Sequence, residues 1–173
     1  MKCREISSDF TWDVLGNVDE GRVNLGQEAP VIMYRLFQYT LRDILKREYD
    51  SETAAELFRT AGHLAGIHFA ENMLDLSGDC DFFIANLQKK LLDLKIGILR
   101  IEKADFDNMT FTVTMSEDLD CSGLPITGNT VCDYDEGFIA GIMEKYTGRP
   151  FSVKEIDCWA TGDRTCRFNV EAN

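Results

Sequence analysis

The order of residue patterns predicts an α+β domain in which long N-terminal helices pack on an antiparallel sheet of hairpins. Three observations carry this. Residues 31–47, 51–74 and 81–94 repeat apolar side chains every three or four positions, the spacing of an amphipathic helix. Residues 98–115 alternate apolar and polar and break at Asp107-Asn108, the pattern of a β-hairpin. Residues 151–157 and 164–170 read as a second strand pair around the turn at residues 160–163. Helices followed by hairpins argue against a doubly wound sheet, which would alternate the two.

Residues 1–27 read as an irregular arm, punctuated by Gly16, Gly21 and Gly26 around a strand-like Arg22–Leu25. Pro30 suits the first turn of the helix that follows. Its stripe of Met33, Leu36, Phe37, Leu41, Ile44 and Leu45 is expected to be buried. Ser51 and Thr53 start a longer helix, whose stripe runs through Ala54, Leu57, Ala61, Leu64, Ala65 and His68. Gly62 and Gly66 lie one turn apart inside it, and each costs about 1 kcal/mol against alanine. Close approach of another helix or of a ligand is the natural compensation. Gly97 closes the third helix, and a fourth is expected over residues 132–146, ended by Gly148.

The length of 173 residues suits one domain, divided as an arm (1–27) and a single domain (28–173). Acidic residues outnumber basic ones 30 to 18, for a net charge of −12. That charge repels phosphate backbones and anionic membranes, so neither nucleic acid nor membrane is an expected partner. There is no run of 18 apolar residues, and the N-terminus opens with charge, so a cytoplasmic location is expected. Six cysteines are too sparse for a disulfide framework in a chain of this length, which leaves metal ligation or plain burial.

The segment KEIDCWATGDRTCRF places Cys158 and Cys166 symmetrically about Gly162, so a hairpin there makes them neighbours. Cys132 falls at a helix N-terminus, where the dipole favours a thiolate. With Glu155 these residues could build a closed tetrahedral zinc site; buried thiols or a cross-strand disulfide are the alternatives. Parity opposes Glu155, since an odd separation from Cys158 puts the two on opposite faces of a regular strand. A bulge would be needed to bring them together.

Residues 131–170 resemble the signature of the V4R, or 4-vinyl reductase, family: Cys132, Gly137, Gly141 and Gly148, then Glu155, Cys158, Gly162, Asp163 and Cys166. EGRVNLG at 20–26, the helix with Gly62 and Gly66, and KIGILRIEKAD at 95–105 resemble the sensor domains of aromatic-responsive activators in that family. The resemblance implies a fold related to haem-NO-binding proteins and vesicle-tethering subunits. It also implies a structural zinc held by Cys132, Glu155, Cys158 and Cys166, dimerisation through the N-terminal arm, and a free-standing member without an ATPase or helix-turn-helix module. Cys3, Cys80 and Cys121 match no metal position. The positions of the histidine and tryptophan that grip phenol in the activators fall near Asp93 and Glu117, which implies another ligand or none.

The function implied is a sensory module for a small hydrophobic molecule, probed by candidate lining residues Phe58, Ile67, Phe69, Ile98, Phe111 and Phe138. Two alternatives are an enzyme acting on a tetrapyrrole vinyl group, for which no hydride or electron cofactor motif is found, and an assembly subunit. His63 and His68, five apart on one helix, cannot share a metal, and His68 is expected in the core.

Overall fold

A computed structural model describes residues 8–173. A 3-10 turn at Trp12–Leu15 comes first, then helix α1 (Val18–Gly21), where the Asn17 side chain accepts from the Glu20 N–H. The strand expected at Arg22–Leu25 is absent. These residues turn instead, with Arg22 Nε donating to the Gly26 carbonyl at 2.7 Å. Local hydrogen bonds satisfy backbone that has no strand partner.

Helices α2 (Val31–Glu48), α3 (Ser51–Met73) and α4 (Cys80–Asp93) follow. Asp50 and Asp79 cap α3 and α4, their carboxylates accepting from the Thr53 and Phe82 N–H groups. Hairpin β1 (Ile98–Asp105) and β2 (Thr110–Ser116) precedes α5 (Asp133–Thr147), and β3 (Phe151–Asp157) and β4 (Cys166–Ala172) close the chain. The sheet is antiparallel in the order β1-β2-β4-β3, so the two hairpins meet along β2 and β4. One face is buried through Phe111, Val113 and Met115 of β2 and Cys166, Phe168 and Val170 of β4, the two-residue period of a one-sided sheet. Against it pack Phe83, Leu87 and Leu91 of α4 and Ile142 of α5, and Phe83 stacks on Tyr146 with ring centroids 3.8 Å apart.

Helix α3 crosses α5 with the backbones in contact. A Cβ on Gly62 or Gly66 would run into the carbonyl of Tyr134 or Phe138, and one on Gly137 or Gly141 into that of Arg59 or His63. Of the two compensations open to the α3 glycines, a helix is the one found.

Helix α2 overturns its expected orientation. Its buried residues are Gln38 and Arg42, while Met33, Leu36, Phe37, Leu41 and Ile44 are 40–68% exposed and Leu45 is half-buried. The polar face turns inward because it holds the loop after β2. Tyr34 Oη donates to Asp120 Oδ1 at 2.7 Å, Gln38 Nε2 to Asp120 Oδ2 at 2.5 Å, and Arg35 Nε to the Leu119 carbonyl at 2.8 Å. Arg42 donates to Asp133 Oδ2 at 2.6 Å and to the Val131 carbonyl at 2.9 Å. Buried carboxylates and carbonyls need donors more than the apolar stripe needs burial.

Candidate metal centre and ligand cavity

Cys132 is the N-cap of α5, Cys158 follows the end of β3, Cys166 opens β4, and Cys121 comes from the loop after β2. All four are buried, and their sulfurs lie within 4.8 Å of one another. Cys132 Sγ is 3.9 Å from both Cys158 and Cys166, and Cys121 Sγ is 3.0 Å from Cys166. The sequence reading gave Cys121 no metal position; the structure places its sulfur in the same cluster as the other three. Only the tertiary fold brings in the loop that carries it.

The parity obstacle at Glu155 is removed by the irregularity it required. The β3–β4 register shifts between Glu155 and Asp157, so Glu155 and Cys158 both turn inward. Glu155 Oε2 accepts from the Cys132 N–H at 3.0 Å, and Oε1 is buried with no hydrogen-bond partner among the described residues. The turn between β3 and β4 is a 3-10 helix, Trp159–Thr161, closed by Gly162 at φ 110°, a left-handed conformation that favours glycine. Thr161 Oγ1 accepts from the Cys158 N–H at 3.0 Å, and Trp159 Nε1 donates to the Leu124 carbonyl at 3.1 Å. Trp159 therefore ties the Cys121 loop to the turn that carries Cys158.

The electrostatics are those of a site short of positive charge. Burial, then the adjoining Cys158, pushes Glu155 up to about 8. Burial, then Asp120, pushes Asp118 up to about 7, and burial, then Asp118, raises Asp135 far above the carboxylate range. The crowded sulfurs drive Cys158 down and Cys132 and Cys166 up. Four thiols and three carboxyls at this density cannot all ionise without a cation. A tetrahedral zinc with Zn–S bonds of about 2.3 Å sets sulfurs about 3.8 Å apart, which the two edges from Cys132 match and the 3.0 Å edge from Cys121 to Cys166 falls short of.

A second feature is a cavity of about 50 Å³ enclosed by α4, α5 and the sheet. Phe83, Leu87, Phe111, Phe138 and Ile142 are among its walls, and Asp135 is the one charged residue that lines it. Asp135 is 9% exposed, and its buried Oδ2 has no partner among the described residues. Of the residues expected to line a pocket, Phe111 and Phe138 do so. Phe58 instead lines a groove of about 270 Å³ between α2 and α3, and Phe69 packs against Phe138 at 5.1 Å. Ile67 and Ile98 are half-buried and line neither space.

His63 Nε2 lies 3.0 Å from Glu144, and His68 sits edge-on to Phe10, so the histidines share no site. Cys80 lines the cavity, and Cys3 lies outside the described residues. No helix among the described residues is long and apolar enough to cross a membrane.

The model of the V4R domain matches residues 111–172, the span that holds the second strand, all four clustered cysteines and Glu155. Over these residues, about a third of the chain, the protein matches the V4R domain. An uncharacterized protein of Methanocaldococcus jannaschii is 31% identical over 93 residues, 54% of this chain and 53% of that protein. The chain thus spans about half the length of that curated relative. Among solved structures, a vinyl-4-reductase family protein from Methanocaldococcus jannaschii is similar at TM-score 0.62 and 17% identity, covering 96% of this chain and 99% of that one. The phenol-responsive sensory domain of the transcription activator PoxR, solved with phenol, gives 0.59 at 19% identity over 77% of this chain and 71% of that one. A trafficking protein particle complex subunit 3 from Naegleria fowleri, covalently bound to palmitic acid, gives 0.65 at 11% identity over 83% and 94%. At these identities the V4R chain and the three structures share the fold.

Proposed function

We propose that this V4R chain is a sensory module that takes a small apolar molecule bearing one hydrogen-bond donor, and that a structural zinc holds the binding helix in place. The observation that carries this reading is the apolar cavity lined by Asp135, whose buried Oδ2 has no partner among the described residues. A buried acceptor without a donor is costly, and a ligand hydroxyl or amine would relieve it. A ligand carboxylate would instead add a further negative charge beside Asp118, Asp120 and Asp135, whose burial and crowding already raise their carboxyls. Met115 and Met143 also line the space, and their unbranched side chains can repack to admit a few carbon atoms. The phenol-bound PoxR domain of the same fold gives the reading further support.

Asp135 and Phe138 lie in the first two turns of α5, and Cys132 caps that helix. Occupancy of the cavity therefore acts on the helix that the metal clamp fixes. Zinc would be held by Cys132, Cys158 and Cys166, with Glu155 or Cys121 in the fourth position, and with four protein ligands it supplies stability rather than chemistry. The homodimer, expected through the N-terminal arm, is proposed here to form instead through the outward face of α2. There Ile32, Met33, Leu36 and Phe37 are exposed, an apolar surface that a two-fold contact would cover.

The test is a thermal-shift and NMR titration with 1-pentanol and with pentanoate. 1-Pentanol should stabilise the protein and shift amides of α4 and α5, and pentanoate should not. Asp135→Ala should weaken 1-pentanol at least about tenfold, the loss of a hydrogen bond to a charged or strongly polar acceptor. No binding of either compound would remove the ligand reading.

A further inference from the structure

The fourth zinc position has two claimants in this chain, and the geometry points to Cys121: we infer that the metal centre is a tetrathiolate of Cys121, Cys132, Cys158 and Cys166, with Glu155 outside it as a positioning residue. This rests on the zinc reading above and specifies its ligand set.

In a tetrahedral site the sulfur ligands lie about 3.8 Å apart, so the true set must be one whose donors already converge. The four sulfurs do, all within 4.8 Å of one another, and no Glu155 oxygen joins that group. Two of the recorded sulfur edges, Cys132 to Cys158 and Cys132 to Cys166, are 3.9 Å, near the length a single ion sets. Cys121 Sγ lies 3.0 Å from Cys166, shorter than an ion-set edge, and is 0% exposed, so burial places it in the cluster.

Cys121 is also held there by design of the surrounding fold. Its N–H donates to Asp118 Oδ1 at 3.1 Å, the Asp120 N–H donates to the same oxygen at 2.7 Å, and Asp120 is gripped by Tyr34 and Gln38 of α2. A free thiol would need none of this. Glu155, by contrast, already spends Oε2 on the Cys132 N–H, which fixes the N-cap of α5 rather than the metal. Its Oε1 has no partner, so Glu155 remains the rival that an experiment has to separate from Cys121.

The deciding measurement is X-ray absorption of the zinc-loaded full chain, with cobalt substitution as a second readout. The wild type should show four sulfurs at about 2.3 Å, and its cobalt form the charge-transfer absorption of four Co–S bonds. Glu155→Gln should keep all four sulfurs. Cys121→Ser should lose about a quarter of the charge-transfer intensity and show three sulfurs with one lighter ligand. If Cys121→Ser fails to fold, the wild-type spectrum decides alone. A wild-type shell of three sulfurs and one oxygen, or an unchanged Cys121→Ser spectrum, overturns the assignment of Cys121 and leaves the zinc reading standing. No uptake of zinc or cobalt by the wild type overturns both.

Discussion

The Tyr134 carbonyl of α5 occupies the space in which a side chain on Gly62 of α3 would begin. The same relationship recurs one turn on, between Gly66 and Phe138, and in reverse from Gly137 and Gly141 onto Arg59 and His63. Four glycines thus bring two helices to backbone contact.

Alanine at Gly62 or Gly141 should therefore destabilise, although alanine is the better helix former. The obstacle is backbone, which cannot swing aside, so a cost of about 3 kcal/mol is expected. For a chain of this size that lowers Tm by about 6–12 °C in a thermal melt. Gly21→Ala, with no atom within 4 Å of the added Cβ, is the matched control and should melt as the wild type does.

Removing the metal should loosen the end of α5 and the β3–β4 turn together. Zinc binding to a preformed thiolate site contributes to folding directly, so a strong chelator should lower Tm by about 10 °C or more. Calorimetry with and without chelator, with zinc released to a colorimetric dye, checks this. An unchanged Tm after zinc release would show that the clamp bears no structural burden.

Arg42 should be costly to replace despite its place on the face that sequence periodicity assigns to solvent. It donates to Asp133 and to the Val131 carbonyl and lies 4.3 Å from the centre of the Phe58 ring. Arg42→Met should cost about 3 kcal/mol in urea unfolding, because the half-buried Asp133 keeps only Arg59 as partner. A loss under about 0.5 kcal/mol would mean that Arg59 suffices alone.

A charge on the outward face of α2 should dissociate the proposed dimer without unfolding the protomer. Phe37 is 68% exposed, so Phe37→Glu should leave Tm of the protomer nearly unchanged and halve the mass seen by light scattering. A wild type that is already monomeric sinks the dimer reading.

Much of this architecture is legible in the sequence because local rules and tertiary packing agree. The helices at α3, α4 and α5 and both hairpins carry their own periodicity, and the glycine pairs announce a close contact before any partner is known. Cys132, Cys158 and Cys166 are legible too, two from hairpin symmetry and one from its helix start. Cys121 is not, because its place depends on a loop pinned by α2, more than 80 residues away in sequence. The same long-range bonds explain why α2 reads inside out: periodicity sees an apolar stripe but not that Asp120 will need donors. At Arg22–Leu25 a strand-like composition yields to a turn closed by the Leu25 and Gly26 N–H groups donating to the Arg22 carbonyl.

The grip of Tyr34 and Gln38 on Asp120 sets a boundary for anyone who would excise this domain. A fragment cut to residues 111–172 would retain every clustered thiol and yet lose the scaffold that steers one of them into place. Such a minimal piece should bind thiophilic ions as a loose peptide does, and recover a defined coordination shell only when the α2 segment is supplied in trans.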